Sequence, residues 1–160
     1  LGRASGLTTD ELGRLVTDET LTSVDDDRIV ATGDAAAPSG VAYRMSCQAA
    51  NQLGPLAGET VLARLAGANP KPVSIGFVGQ CISIGRELGL TNLSRRDDSA
   101  VAGRVRGVPA AKIKELVCRS TVWVMSMEAR RPGSAFGLKD RSRAGKVQAA
   151  AVPLLKESSL

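Results

Sequence analysis

The 160-residue chain contains no histidine. That absence excludes Ser-His-Asp and Cys-His catalysis, and with them every His-ligated metal. Aromatic residues are nearly missing as well: one Trp, one Tyr and two Phe. Single-strand and RNA readers stack bases on aromatic platforms, so this scarcity argues against a nucleic-acid module. The three cysteines, Cys47, Cys81 and Cys118, lie far apart and form no Cys-x-x-Cys pair, which removes a local zinc knuckle or redox dithiol. An odd set of thiols fits a reducing compartment, and a cytoplasmic location is expected. No apolar run approaches the ~20 residues of a transmembrane helix.

Apolar residues make up 43% of the chain, enough for a core, and charged residues 23%, too few for a chain that is solvated throughout. The length suits one domain, or one domain with a piece of another. The net charge of +5 hides an asymmetry. Residues 1–94 carry seven basic and ten acidic side chains, a net of −3, while residues 95–160 carry fourteen basic and six acidic, a net of +8. A basic C-terminal part suits an anionic neighbour such as phospholipid, nucleic acid or an acidic domain; a plainly solvated basic face explains it as well.

Residues 1–28 read as loops around short strands, with Arg14 to Thr17 strand-like. Arg28-Ile29-Val30-Ala31-Thr32 is a short β-branched run that stops abruptly at Gly33-Asp34, the pattern of a buried strand of parallel type. A small-residue loop follows. A helix is then predicted from about Arg44 to Ala66, with Ala49, Ala50, Leu53, Leu56, Ala57, Val61, Leu62 and Leu65 at three- and four-residue steps and a kink at Gly54-Pro55. Residues 73–107 are β-rich: Val73 to Val78, Cys81 to Ile84 and Val101 to Arg106 imply a small antiparallel sheet. Pro109 opens a second helix that runs to about Arg131, with Ile113, Leu116, Val117, Ser120, Val124 and Met127 on one face. On this reading Trp123 packs in the core and Cys118 and Cys81 are small buried apolar residues. Residues 134–160 are expected to be a largely disordered basic tail with a short helix near 144–155.

Chemistry concentrates at Ile29-Val30-Ala31-Thr32-Gly33-Asp34-Ala35-Ala36. A glycine at a strand end lets another group come close to the backbone, and an ionised Asp beside it is acceptor-only, suited to the hydroxyls of a ribityl or ribose chain. Gly-Asp is also a common turn dipeptide, so its neighbours matter. Cys47-Gln48-Ala49-Ala50-Asn51-Gln52 opens the long helix about a dozen residues later. Gln48 and Gln52 are four apart and share one helical face, while the helix start favours negative charge.

Together these two stretches resemble the C-terminal FAD-binding part of the two-dinucleotide-binding-domain flavoproteins. The nearest branch is the type II NADH:quinone dehydrogenases and related FAD-dependent oxidoreductases. That family has a strand, then Ala-x-Gly-Asp-Ala/Cys-Ala, a loop, and a helix beginning Ala-Gln-x-Ala-x-Gln. Here the first motif stands as Ala31-Thr32-Gly33-Asp34-Ala35-Ala36 and the second as Cys47-Gln48-Ala49-Ala50-Asn51-Gln52, with Cys for the usual Ala. The likeness covers roughly residues 5–131, strongest in the middle. It implies that Gly33 and Asp34 meet the ribityl chain of FAD, and that the backbone at Cys47 and Gln48 faces the flavin's pyrimidine edge. It also implies that Gln48 and Gln52 line the catalytic pocket where a quinone or similar acceptor approaches. NAD(P)H would be the hydride donor. The redox-active cysteine pair of the disulfide-reductase branch is absent, which implies direct transfer from flavin to acceptor.

Neither of the family's Gly-x-Gly-x-x-Gly turns is present. The resemblance is therefore to the C-terminal portion of such an enzyme, expected to be inactive alone and to need the N-terminal FAD and NAD domains, a companion chain or a second copy of itself. The expected class is α/β, turning α+β in the C-terminal part. Residues 1–67 would be the end of a Rossmann-like FAD-binding domain, 68–131 a small antiparallel sheet plus helix, and 132–160 a flexible basic tail. The competing reading is a non-catalytic interaction domain. Its sheet and basic helix would bind a partner subunit or an anionic membrane surface, placing the protein peripherally on the membrane's inner face.

Overall fold

The computed structural model describes residues 1–134 and 137–157, the last six of these by backbone alone. It is a mixed helix-and-strand chain of α+β class, with three α-helices and two sheets among the described residues. It divides into two compact units, one of residues 1–74 with 141–160 and one of residues 75–140.

In the first unit, β1 (Leu15–Thr17) and β2 (Ala36–Pro38) pair in parallel, with Leu15 opposite Ala36 and Thr17 opposite Pro38. Helix α1 (Cys47–Leu65) buries Ala49, Leu53, Ala57 and Thr60, a stripe at steps of four, four and three. That stripe is narrower than the predicted one. Val61, Leu62 and Leu65 are exposed at 41, 63 and 80%, on the side of α1 turned away from the Ala49–Thr60 stripe. The buried end of the stripe is tied by polar contacts. Thr60 Oγ1 donates to the Thr20 carbonyl at 2.8 Å, and Arg64 Nη2 donates to Thr22 Oγ1 at 3.0 Å. Pro55 lies inside α1 and the helix continues through it. Gly54 removes one part of the strain, since a residue before proline clashes in helical geometry through its Cβ as well as its N–H.

The run Arg28 to Thr32 does not form the expected parallel strand. Ser23 N–H donates to the Ile29 carbonyl at 2.8 Å and Ala31 N–H to the Leu21 carbonyl at 3.0 Å, with Val30 bridged antiparallel to Thr22. Its β-branched residues thus satisfy their backbone locally, against the turn just before them. That turn is built on Asp18, whose Oδ1 accepts from the amides of Thr20 and Thr22 at 2.7 and 3.0 Å. Leu21, wholly buried, takes the left-handed φ of 68° that the turn demands.

The second unit is an antiparallel meander, β3 (Gly79–Ile84), β4 (Leu88–Ser94) and β5 (Ala100–Arg106), followed by α2 (Val108–Arg130). The predicted sheet is present, but it begins at Gly79. Val73 to Val78 make no strand, although Val73 is buried in the first unit and Ile75 and Phe77 in the second. Gly89 sets how close α2 comes to the sheet: a Cβ there would meet the Ala111 nitrogen at 2.7 Å and the Ala110 carbonyl carbon at 2.9 Å. Ala110 and Ala111 are accordingly buried.

Ile113, Val117, Val124 and Met127 are half-buried as predicted, whereas Leu116 and Ser120 are exposed. Trp123, predicted for the core, is 61% exposed, and Cys118 is exposed rather than buried. Both lie off the half-buried line of Ile113, Val117, Thr121 and Val124, and length adds to the exposure toward the helix end. Twenty-three helical residues span about 34 Å, whereas seven-residue strands reach only about 23 Å. The far end of α2 therefore outruns the sheet, and Val122, Trp123 and Met125 stand in solvent. No helix among the described residues is long and apolar enough to cross a membrane.

Two predictions follow from this packing. Gly89→Ala should destabilise the second unit by roughly 1–3 kcal/mol, because α2 must move off β4. Leu116→Ser should change stability by no more than about 0.5 kcal/mol. Urea unfolding followed by Trp123 fluorescence reads both.

Candidate functional site

The two sequence motifs meet in the first unit. Gly33, Asp34 and Ala35 form a single 3-10 turn that packs against α1. Gly33 has φ of 60°, and a Cβ on it would lie 3.4 Å from the Ala50 Cβ. Glycine is favoured there for its left-handed backbone conformation, while the space beside it would admit a Cβ at ordinary contact distance. Asp34 is exposed, and its Oδ1 accepts from the Ser46 amide, twelve positions along the chain, at 3.1 Å. Ser46 is the N-cap of α1, its Oγ accepting from the Ala49 amide at 3.2 Å. A carboxylate and a hydroxyl thus both serve the positive end of the helix.

This placement corrects one expectation. Asp34 does not follow a buried parallel strand, so the rule that ligands gather at the carboxyl ends of parallel strands does not locate it. The turn itself, and the helix end behind it, locate it instead. The sequence motifs are nevertheless brought together as expected in one respect: Gly33 and Asp34 lie beside the first turn of α1, which holds Cys47 and Gln48. Cys47 is exposed and its thiol is not in a disulfide. Gln52 does not extend away from the helix as the shared face with Gln48 suggested: its Nε2 donates to the Gln48 carbonyl at 3.0 Å.

A carboxylate has two oxygens and about four acceptor positions, so the Ser46 bond leaves Asp34 able to accept from ligand hydroxyls. Beside it, Thr32 Oγ1 is buried with no hydrogen-bond partner. An unmade bond of this kind is costly, and it marks a polar position that sequence reading passed over, since Thr32 was only the variable residue of the motif. The exposed Asp34, the Gly33 turn and the helix start lie side by side in the first unit.

The segment behind the site also holds what sequence reading missed. Arg143, at the start of α3 (Arg143–Glu157), is 5% exposed and pairs with Glu19 through two bonds, Nε to Oε2 at 3.0 Å and Nη2 to Oε1 at 2.8 Å. The short helix expected near 144–155 is present as α3, and what departs from the expected disordered tail is its head, which is anchored by a buried ion pair; residues 135, 136 and 158–160 lie outside the described residues. Nothing local announced this, because Arg143 and Glu19 are 124 positions apart.

Electrostatics elsewhere in the first unit are those of an acidic loop. Hydrogen bonds from the Arg28 guanidinium and amide lower the Asp26 carboxyl to about 2, and the Thr8 amide and hydroxyl lower that of Asp25. Among the described residues no group of three or more Cys, Asp or Glu is placed to hold a metal. A groove of about 320 Å³ lies in the second unit, lined in part by Gln80, Asn92, Ser94 and Arg104, and contains none of the motif residues. No family model and no curated protein matches the chain.

Three outcomes are expected. Gly33→Ala should destabilise the first unit by roughly 1–2 kcal/mol, the cost of forcing a Cβ into left-handed backbone. Gly58→Ala, on an open stretch of α1, should stabilise it by up to about 1 kcal/mol; circular dichroism during urea unfolding separates the two. The lowered Asp26 and Asp25 carboxyls stabilise the fold fully above the ordinary carboxylate range and lose that contribution as pH falls toward about 2. Thermal midpoints should therefore drop on acidification from pH 5, and Asp26→Asn should flatten the drop.

Proposed function

We propose that this chain is the FAD-contacting region of an NAD(P)H-dependent flavin oxidoreductase of the type II NADH dehydrogenase kind, passing electrons to a quinone or similar acceptor. The observation that carries the reading is the Gly33-Asp34 turn seated against the first turn of α1, with Asp34 bonded to the N-cap amide. The finer fold reading belongs to the same proposal. Residues 1–67 are the end of a Rossmann-like FAD-binding domain, a reading supported by the parallel β1–β2 pair followed by α1.

Bound FAD would supply the hydride and electron chemistry. The chain's residues would do the rest. Asp34 would accept from the ribityl hydroxyls, Gly33 would let the chain approach, and the α1 start at Cys47 and Gln48 would favour negative charge on the ring edge. Gln48 and Gln52 would line the acceptor side. The missing glycine-rich turns leave the pyrophosphate and nicotinamide without a binding motif in this sequence, so other domains or a companion chain would provide them.

Titration of the purified chain with FAD, followed by flavin fluorescence, tests this. The chain should be colourless as isolated and should take FAD weakly and saturably, with Asp34→Ala weakening it roughly tenfold, as expected for hydrogen bonds to a charged acceptor. Saturable binding indifferent to Asp34→Ala, or none at millimolar FAD, would contradict the assignment.

A second reading, an interaction domain, is favoured by the exposed Leu116, Val122, Trp123 and Met125 on a helix that also carries Lys112, Lys114, Arg119 and Arg130. Sedimentation with vesicles of anionic and of neutral lipid separates a membrane from a protein partner: salt-sensitive binding to the anionic vesicles alone is the membrane outcome.

A further inference from the structure

The Arg143 guanidinium reaches beyond Glu19. Its Nη1 donates to the Val41 carbonyl at 2.6 Å, its Nη2 also donates to the Pro38 carbonyl at 3.0 Å, and its central carbon lies 4.3 Å from the centre of the Tyr43 ring. All three of those contacts fall on the stretch 38–43, which every path along the chain from Asp34 to Ser46 must cross. The ends of that loop are closed by the Asp34–Ser46 bond, and its middle is held by Arg143. Glu19 anchors the other side, its own carbonyl accepting the Val73 amide at 2.7 Å. A planar, always-charged fork makes four such bonds at once, two of them to one carboxylate, whereas a lysine has three donors on a single nitrogen.

We propose that Arg143 is a positioning residue for the Asp34 site: by fixing the 38–43 loop from within, it sets where Asp34 meets the start of α1. The geometry gives Arg143 no contact with the site itself, so it acts through the loop. Its functional meaning rests on the flavin reading, while its structural content does not. The amides of Ser39, Gly40 and Val41 report on the loop, since each donates within the fold, at 2.7, 3.1 and 2.9 Å. The amides of Leu53 and Ala57, in the buried stripe of α1, report on the unit as a whole.

The test is hydrogen exchange on the full chain for Arg143→Lys and Glu19→Gln, with the FAD titration run in parallel. Arg143→Met is the harsher variant, and the two milder ones carry the test should it fail to fold. Exchange at Ser39, Gly40, Val41 and Ser46 should rise roughly tenfold or more, from loss of charge-assisted bonds, with Leu53 and Ala57 unchanged and FAD binding weakened. Unchanged exchange in the loop would overturn the proposal. So would equal acceleration at Leu53 and Ala57, which would make Arg143 a general stabiliser. If the wild-type chain takes no FAD, the flavin reading falls while the exchange pattern still decides whether Arg143 positions the loop.

Discussion

Burying the Arg143 guanidinium constrains everything around it. A charge taken out of water is tolerable only if its donors find acceptors of good geometry. Here one carboxylate, two backbone carbonyls and an aromatic face supply them. Meeting that demand joins a turn near residue 19, the loop after β2 and the head of α3, segments that share no local sequence signal. The first unit has only two three-residue strands. It therefore depends on this hub, and on the α1 stripe of Ala49, Leu53, Ala57 and Thr60, more than on its sheet.

The candidate site inherits its order from that arrangement. Asp34 and Ser46 are twelve residues apart and meet only because the loop between them is folded back. The Ser46 hydroxyl caps α1 by accepting from the Ala49 amide, and the Asp34–Ser46 bond holds that capped start, with Cys47 and Gln48, beside the Gly33 turn. The flavin reading draws on this chain of dependence: a left-handed glycine, an exposed carboxylate and a helix end within a few ångströms, with the buried Thr32 hydroxyl next to them. The second unit supplies none of these groups. Its contribution is a meander whose helix is longer than the strands it covers.

Elements governed by local periodicity were legible in the sequence. The three- and four-residue spacing from Ala49 to Ala57 marked α1, Pro109 marked the start of α2, and Cys81 to Ile84 with Val101 to Arg106 marked two of the three meander strands. The pairing of Gly33-Asp34 with the helix start was an expectation that the family resemblance implied, since neither stretch announces the other by itself. What could not be read depended on partners far along the chain. Ile29 and Val30 look like a buried strand, but the turn at Asp18 lies close enough to satisfy their backbone first. Trp123 and Cys118 sit beside, not on, the line of Ile113, Val117, Thr121 and Val124 that α2 turns inward, and apolar spacing alone did not say which edge of the stripe the sheet would cover. The helix near 144–155 was legible, but nothing in its basic, small-residue sequence marked Arg143 as buried until Glu19 is placed beside it.

The central claim is that the Gly33-Asp34 turn and the head of α1 form one flavin-contacting surface. Backbone amide shifts of the isotope-labelled chain, recorded as FAD is added, test it most directly. The account predicts shifts concentrated at Thr32, Gly33, Asp34 and Ser46 to Gln48, with the β3–β5 sheet unmoved. Shifts centred on Gln80, Asn92 and Arg104, or none at saturating FAD, would contradict it.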